Sequence, residues 1–211
     1  MRIILCSIDE PLALAWESYC GDLEGVEIHR GNILKLNVDA VVSPANSFGF
    51  MDGGIDMVYS QHFGWKVQQQ LQNQIQHFHN GELIVGNAEI VETQNSKIPY
   101  LIAAPTMRVP MILADTVNPY LAARAALLLI KNGRFMTGAR EGEKISDGVK
   151  SVAFPGLGTG VGRVQPEKCA LQVRTAIKDV TLGEYEFPSS WGDAQFRHQQ
   201  LYTDEYRDLQ R

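Results

Sequence analysis

Two stretches of the sequence combine glycine, asparagine and aspartate in a pattern able to grip an anion. The first is Ser43-Pro44-Ala45-Asn46-Ser47-Phe48-Gly49-Phe50-Met51-Asp52-Gly53-Gly54-Ile55-Asp56. The second is Phe154-Pro155-Gly156-Leu157-Gly158-Thr159-Gly160-Val161-Gly162-Arg163. Glycine lets the backbone approach a phosphate closely, and a helix that follows offers unbonded N–H groups and a partial positive charge. Two such loops together can hold a diphosphate. Other phosphate and catalytic signatures are missing. Glycines 156, 158, 160 and 162 do not follow G-x-G-x-x-G, and neither G-x-x-x-x-G-K-[ST] nor G-x-S-x-G occurs. Of the histidines at 29, 62, 77, 79 and 198, His77 and His79 face different sides of a helical segment. No metal constellation emerges, and no cofactor is expected.

These loops need strands to launch them and helices to receive them. Ala40-Val41-Val42-Ser43 and Ser151-Val152-Ala153-Phe154 are short apolar runs that read as buried strands just before each loop. Ile55–Phe63 and Pro166–Lys178 read as the helices that follow. Further strands are predicted at Arg2–Cys6, Val26–His29, Ala88–Glu92 and Tyr100–Ala104. A helix opened by Asp9 and Pro11 runs to about Tyr19. Val67, Leu71, Ile75 and Phe78 recur at helical spacing in a Gln-rich segment and predict an amphipathic helix. Asn118 is expected to cap a helix with Pro119 at its first position, stopping at Gly133. Residues 134–148 read as a polar connection. Alternating strands and helices predict an α/β domain with a largely parallel sheet, whose ligands bind at the carboxyl ends of the strands.

The 211 residues suffice for one large α/β domain, and 45% hydrophobic against 20% charged residues supports a real core. A net charge of −5 argues against direct nucleic-acid binding as the main task. The apolar run 121–130 is interrupted by Arg124 and is too short for a membrane span. The start carries no signal-peptide pattern, and three widely spaced cysteines (6, 20 and 169) fit a reduced, cytoplasmic setting. Cys169, with Val173 and Ile177 on one helix face, reads as core.

The loops match a known family. Gly31-Asn32-Ile33, Val38-Asp39-Ala40-Val41-Val42, Pro44-Ala45-Asn46-Ser47 and Gly53-Gly54-Ile55-Asp56 resemble the macro domain, the ADP-ribose-binding module. Phe154-Pro155 followed by Gly158-Thr159-Gly160-Val161 resembles that family's phosphate-gripping loop. The resemblance covers residues 2–178. It implies a three-layer α/β/α fold with a mixed, mostly parallel central sheet, which revises the purely parallel reading. It places a macro-like domain at 1–180 and a C-terminal extension at 181–211. It further implies that ADP-ribose or a related nucleotide, free or on an ADP-ribosylated macromolecule, is the ligand. The residues carried over as ligand-binding are Asn32, Ile33, Ala45, Gly53, Gly54, Ile55, Gly156, Gly158, Thr159, Gly160, Val161, Gly162 and Arg163. In the hydrolytic branch, Asn46 would bond ribose hydroxyls and Asp56 would orient or deprotonate a water attacking the anomeric carbon. An ordinary ionised carboxylate suffices for that proton transfer.

Three positions depart from the family pattern. Asn32 stands where an Asp usually accepts from the adenine amino group, Ser43 replaces the first Asn of N-A-A-N, and Gly162 replaces an aromatic residue. The last change is expected to open the pocket, with Arg163 free to reach an anionic group. Bland readings stay open as well. Asn46 suits a turn residue bonding its own backbone. Asp56 suits a first-turn carboxylate complementing a helix dipole. Asp52 and the segment Thr106-Met107-Arg108 suit ordinary loop roles. Three functions remain: hydrolysis of an ADP-ribosyl linkage (de-ADP-ribosylation or deacetylation of O-acetyl-ADP-ribose), binding without turnover, and assembly. The extension carries Phe187, Trp191, Phe196, Tyr202 and Tyr206 among polar residues. It is read as a docked helix or as an arm that mediates contact with a partner or oligomerisation.

Overall fold

A computed structural model describes residues 1–208. Its centre is a six-stranded sheet formed by β1 (Arg2–Ser7), β2 (Val26–Arg30), β3 (Ala40–Ser43), β4 (Glu89–Glu92), β5 (Tyr100–Ala103) and β6 (Ser151–Phe154), in the spatial order β2-β1-β6-β3-β5-β4. All neighbours run parallel except β4, which pairs antiparallel with β5 at the edge. The sheet is therefore mixed and mostly parallel. Strands buried on both faces show no polar alternation, which is why the loop-bearing strands read as unbroken apolar runs.

Alternate residues of each strand feed two cores, as a period of two requires. Ile3, Leu5, Val42, Val152 and Phe154 face α1 (Glu10–Cys20), α4 (Asn118–Asn132) and α6 (Pro166–Ile177). Ile4, Cys6, Val41, Leu101 and Ala153 face α2 (Gly54–Phe63) and α3 (Lys66–Phe78), among Met51, Tyr59, Leu71 and Ile75. Three layers result. In α3, Val67, Leu71 and Ile75 are buried, but Phe78 in the last turn is exposed and packs on the neighbouring His77 ring instead.

The side chain of Asp39 sets β3 against β6. Its Oδ2 accepts from the backbone N–H of Lys150 (2.9 Å) and of Ser151 (2.8 Å) and from the Ser151 hydroxyl (2.8 Å), while its own N–H donates to that hydroxyl. The clamp fixes Ala40 opposite Val152, so both loops leave neighbouring strands at the same end of the sheet.

Several local expectations are corrected. Asn118 does not cap α4. Its amide donates to the Thr106 carbonyl at 2.8 Å, tying the helix to the loop after β5. The polar connection contains a single helical turn, α5 (Ile145–Gly148), and α6 continues into a π-helical turn at Lys178–Leu182. The extension carries α7 (Trp191–Gln200), yet its aromatic residues do not dock it. Phe187, Trp191, Phe196 and Tyr206 are exposed. Buried Leu201 gives its carbonyl to buried Gln172 of α6, whose amide also donates to the Thr116 carbonyl and accepts from the Tyr120 N–H within the domain. Residues 209–211 of the predicted extension lie outside the described residues.

Candidate functional site

The first loop, after β3, is pinned from every side. The β3–β5 ladder continues past both strands: Ala104 N–H donates to Ser43, Thr106 N–H to Ala45, and Ser47 N–H to the Arg108 carbonyl. The Asn46 side chain turns back on its own loop. Its Oδ1 accepts from the N–H groups of Phe48 (3.1 Å) and Phe50 (3.3 Å), and its Nδ2 donates to the Phe50 carbonyl (2.7 Å). Gln68 and Ser60 hold both ends of the buried Met51 peptide. Gly49, at φ +68°, presses on Leu71 and Ile75, where a Cβ would come within 2.9 Å of Ile75. Ala45 is buried and offers only backbone.

Gly53 and Gly54 then bring the chain into α2. Gly54 has φ +55°, and open space surrounds both glycines. No side chain caps the helix, and the N–H groups of Gly54, Ile55 and Asp56 have no acceptor among the described residues. Asp56 itself is buried, and its Oδ1 accepts from the Ser43 hydroxyl at 2.6 Å. Burial pushes its carboxyl from an ordinary 3.8 up to about 6, with the Ser43 bond pulling the other way. The expectation of an ordinary carboxylate is thus corrected: the desolvation of α2's inner face was invisible in the sequence.

The second loop is built differently. Its glycine carbonyls are used, and its N–H groups from Gly158 to Gly162 are not. Val164 N–H donates to Gly158, Arg163 N–H to Gly160 and Leu113 N–H to Gly162. In a trans peptide the next N–H points opposite to the carbonyl. Bonding the Gly158 and Gly160 carbonyls therefore turns the N–H groups of Thr159 and Val161 the other way. From Gly158 to Gly162, no N–H has an acceptor among the described residues. Glycine is required at 158, where φ is +70°, whereas a Cβ at Gly160 would meet nothing. Below, the Leu157 N–H rests on the sulfur of buried Cys169 at 3.4 Å, and burial raises that thiol to about 12. Thr159 folds its hydroxyl over Gly156, while Val161 and Arg163 are exposed. Arg163 has φ +54°.

The expected opening at Gly162 is corrected. A side chain there would strike the Gly158 carbonyl oxygen at 2.5 Å and Leu113 at 2.9 Å. Leu113, wholly buried in the segment after β5, fills that space. Asn32 and Ile33 lie at the same end of the sheet, after β2. Asn32 is exposed, and its Oδ1 accepts from the Leu34 N–H at 2.9 Å, while Ile33 packs into the core beside α2. On the rim, Arg108 lies over the Phe48 ring and pairs with Glu82 at 2.6 Å.

The structure thus brings the two glycine loops and Asp56 to one end of adjacent strands, with Asn32 and Ile33 two strands away from β6. Sequence reasoning missed Ser43 as the partner of Asp56, Leu113 as the filler at Gly162, and Asp39 as the clamp. A polar residue closing an apolar strand was the one available signal, and it pointed to Ser43. No group of His, Cys, Asp and Glu suited to a metal occurs among the described residues.

Comparison with known proteins identifies the family and the fold. The family model for the Macro domain matches residues 42–173. An uncharacterized protein of Aquifex aeolicus is 30% identical over 145 residues, 69% of this chain and 76% of its own. One from Aeropyrum pernix is 28% identical over 149 residues, 71% of this chain and 68% of its own. Among solved structures, the Oceanobacillus iheyensis macrodomain with ADP superposes with a TM-score of 0.57 at 22% identity, covering 81% of this chain and 85% of that one. A point mutant of that macrodomain with ADPR gives 0.58 at 21%, covering 81% and 87%. The macrodomain of Mycobacterium tuberculosis DarG gives 0.56 at 19%, covering 71% and 87%. At these identities the likeness is one of fold.

Proposed function

The chain belongs to the Macro domain family, which binds ADP-ribose, and on that premise we propose that it binds ADP-ribose and hydrolyses an ADP-ribosyl linkage. The observation that carries this reading is the row of unpartnered N–H groups at 158–162, beside the open glycines and free helix end at 53–56. A diphosphate between the loops would accept from both sets of donors. The fold neighbours with ADP and ADPR support the same ligand class. Gly156, Thr159, Val161 and Arg163 would border the diphosphate, and Asn32 with Ile33 the nucleoside end.

Asp56 supplies the chemistry. Its Oδ1 is held by Ser43, and no hydrogen bond to its Oδ2 occurs among the described residues, so Oδ2 is the oxygen left to accept a proton. With a value of about 6, the carboxylate is ionised at neutral pH and more basic than an exposed aspartate. In the proposed step it takes a proton from water as the water oxygen bonds to the anomeric carbon. The bond from that carbon to the leaving group breaks with its electron pair, and the leaving group gains a proton from solvent. ADP-ribose and the freed acceptor result. The partner is then an ADP-ribosylated macromolecule or a small ADP-ribosyl ester, met in the cytoplasm.

One observation favours binding alone: the Asn46 amide is committed to its own loop. Titration calorimetry with ADP-ribose, ADP and AMP tests the ligand, and a turnover assay with Asp56→Ala tests the reaction. We expect Asp56→Ala to lose turnover and keep affinity within about tenfold, because it removes a reacting group and leaves the phosphate donors intact. Turnover that survives Asp56→Ala refutes the assignment of the base. Absence of turnover in the wild type leaves the binding module.

A further inference from the structure

We propose that Ser43 is the positioning residue of this site, holding one carboxylate oxygen of Asp56 so that the other is left to accept a proton. This rests on the hydrolytic reading above and adds a residue to it. Ser43 closes β3, and its backbone is fixed by the ladder to β5, opposite Ala103. Its hydroxyl is fully buried and reaches across to α2, where it meets Asp56 Oδ1 at 2.6 Å. A short bond between a rigid strand end and the first turn of a helix leaves the carboxylate little rotational freedom. Oδ2 has no hydrogen-bond partner among the described residues.

The surroundings isolate this pair. Tyr59, one turn along α2, donates its hydroxyl to the Val42 carbonyl, and burial holds it well above the ordinary tyrosine range. Cys6 of β1 is pushed up to about 11 by burial. Both are neutral where Asp56 titrates, and no charged side chain bears on the Asp56 carboxyl among the described residues. The Ser43 hydroxyl is therefore the group that tunes it. It donates to the charged form and favours ionisation, so its removal must raise the pH at which Asp56 ionises.

The experiment is a carboxyl-carbon NMR titration of the full chain, comparing wild type, S43A and S43T, with D56N to assign the resonance. The S43A midpoint is expected to rise by about half a pH unit, and S43T, which keeps the hydroxyl, to return toward wild type. In turnover assays, S43A is expected to lose kcat at every pH because the carboxylate is freed, with a further loss of about two- to threefold near pH 6 that follows the ionised fraction. An S43A midpoint unmoved from wild type overturns the proposal. So does a pH profile of kcat whose midpoint stays at the wild-type value. The NMR arm needs no substrate. If wild type shows no turnover, the functional reading fails separately, and the titration still decides whether Ser43 governs Asp56.

Discussion

The two glycine-rich loops leave adjacent parallel strands, yet they are held in opposite ways. The first is fixed by a backbone ladder to the segment after β5 and, beyond it, by side chains: Asn46 bonds three backbone groups of its own loop, Gln68 and Ser60 hold Met51, and Ser43 holds Asp56. The second is fixed by its own carbonyls and by packing, through Gly158, Gly160, Gly162 and the filler Leu113. A loop held by side chains can place a carboxylate in one orientation. A loop held by its carbonyls leaves its N–H groups for a ligand. On the proposed reading, the first loop supplies the carboxylate and the free helix end, and the second supplies the row of anion donors.

The sharpest way to break this comparison is Gly160→Glu. Its Cβ meets nothing, so folding should be untouched, while a carboxylate enters the donor row. We expect ADP-ribose affinity to fall about 100-fold or more with an unchanged melting temperature, since like charge now faces the diphosphate. Equal affinity would place the anion elsewhere. Gly162→Phe tests the packing half. Overpacking against Leu113 and the Gly158 carbonyl should cost about 2–3 kcal/mol, read by denaturant unfolding. Adding Leu113→Ala should recover part of that loss, because the two side chains compete for one space.

The first loop is tested through its buried charge. The folded-state value of Asp56 lies above its ordinary 3.8, so ionisation opposes folding. Its contribution to stability is full below about pH 4 and is lost as pH rises through about 6. Asp56→Asn should therefore stabilise the protein by about 2 kcal/mol at pH 8 and by little near pH 4, measured as the pH dependence of unfolding. A gain independent of pH would mean that the carboxyl is not desolvated. The smallest effect is expected from Asn46→Ala. Losing the loop bonds should cost about 1–2 kcal/mol, and hydrogen exchange at Phe48 and Phe50 should quicken. Unchanged exchange would show that the ladder to β5 alone holds this loop.

The strands, the main helices and both glycine loops were legible because apolar periodicity and turn chemistry act over a few residues. Asn118 was misread because its neighbourhood looks like a cap, whereas its amide reaches Thr106, a residue brought near only by the sheet. The exposed aromatics of the extension misled for a related reason. Burial depends on the surface available to a segment, and here buried Gln172 bonds the Leu201 carbonyl while Gln199 bonds Arg207 within the extension. The site was half legible. Glycines at 158 and 160 and the Asn46/Asp56 spacing stood out, while the consequences of Gly162 and Ser43 did not.

The sequence by itself determined where the chain turns, which residues can adopt a left-handed backbone and which stretches must be buried, since each follows from local sterics and side-chain chemistry. The tertiary structure decided that β3 lies beside β6, that Leu113 occupies the space over Gly162, and that Ser43 meets Asp56 at depth. Those facts join residues far apart in the chain. They depend on close packing and on the low dielectric that packing creates, and these arise only once the layers are assembled.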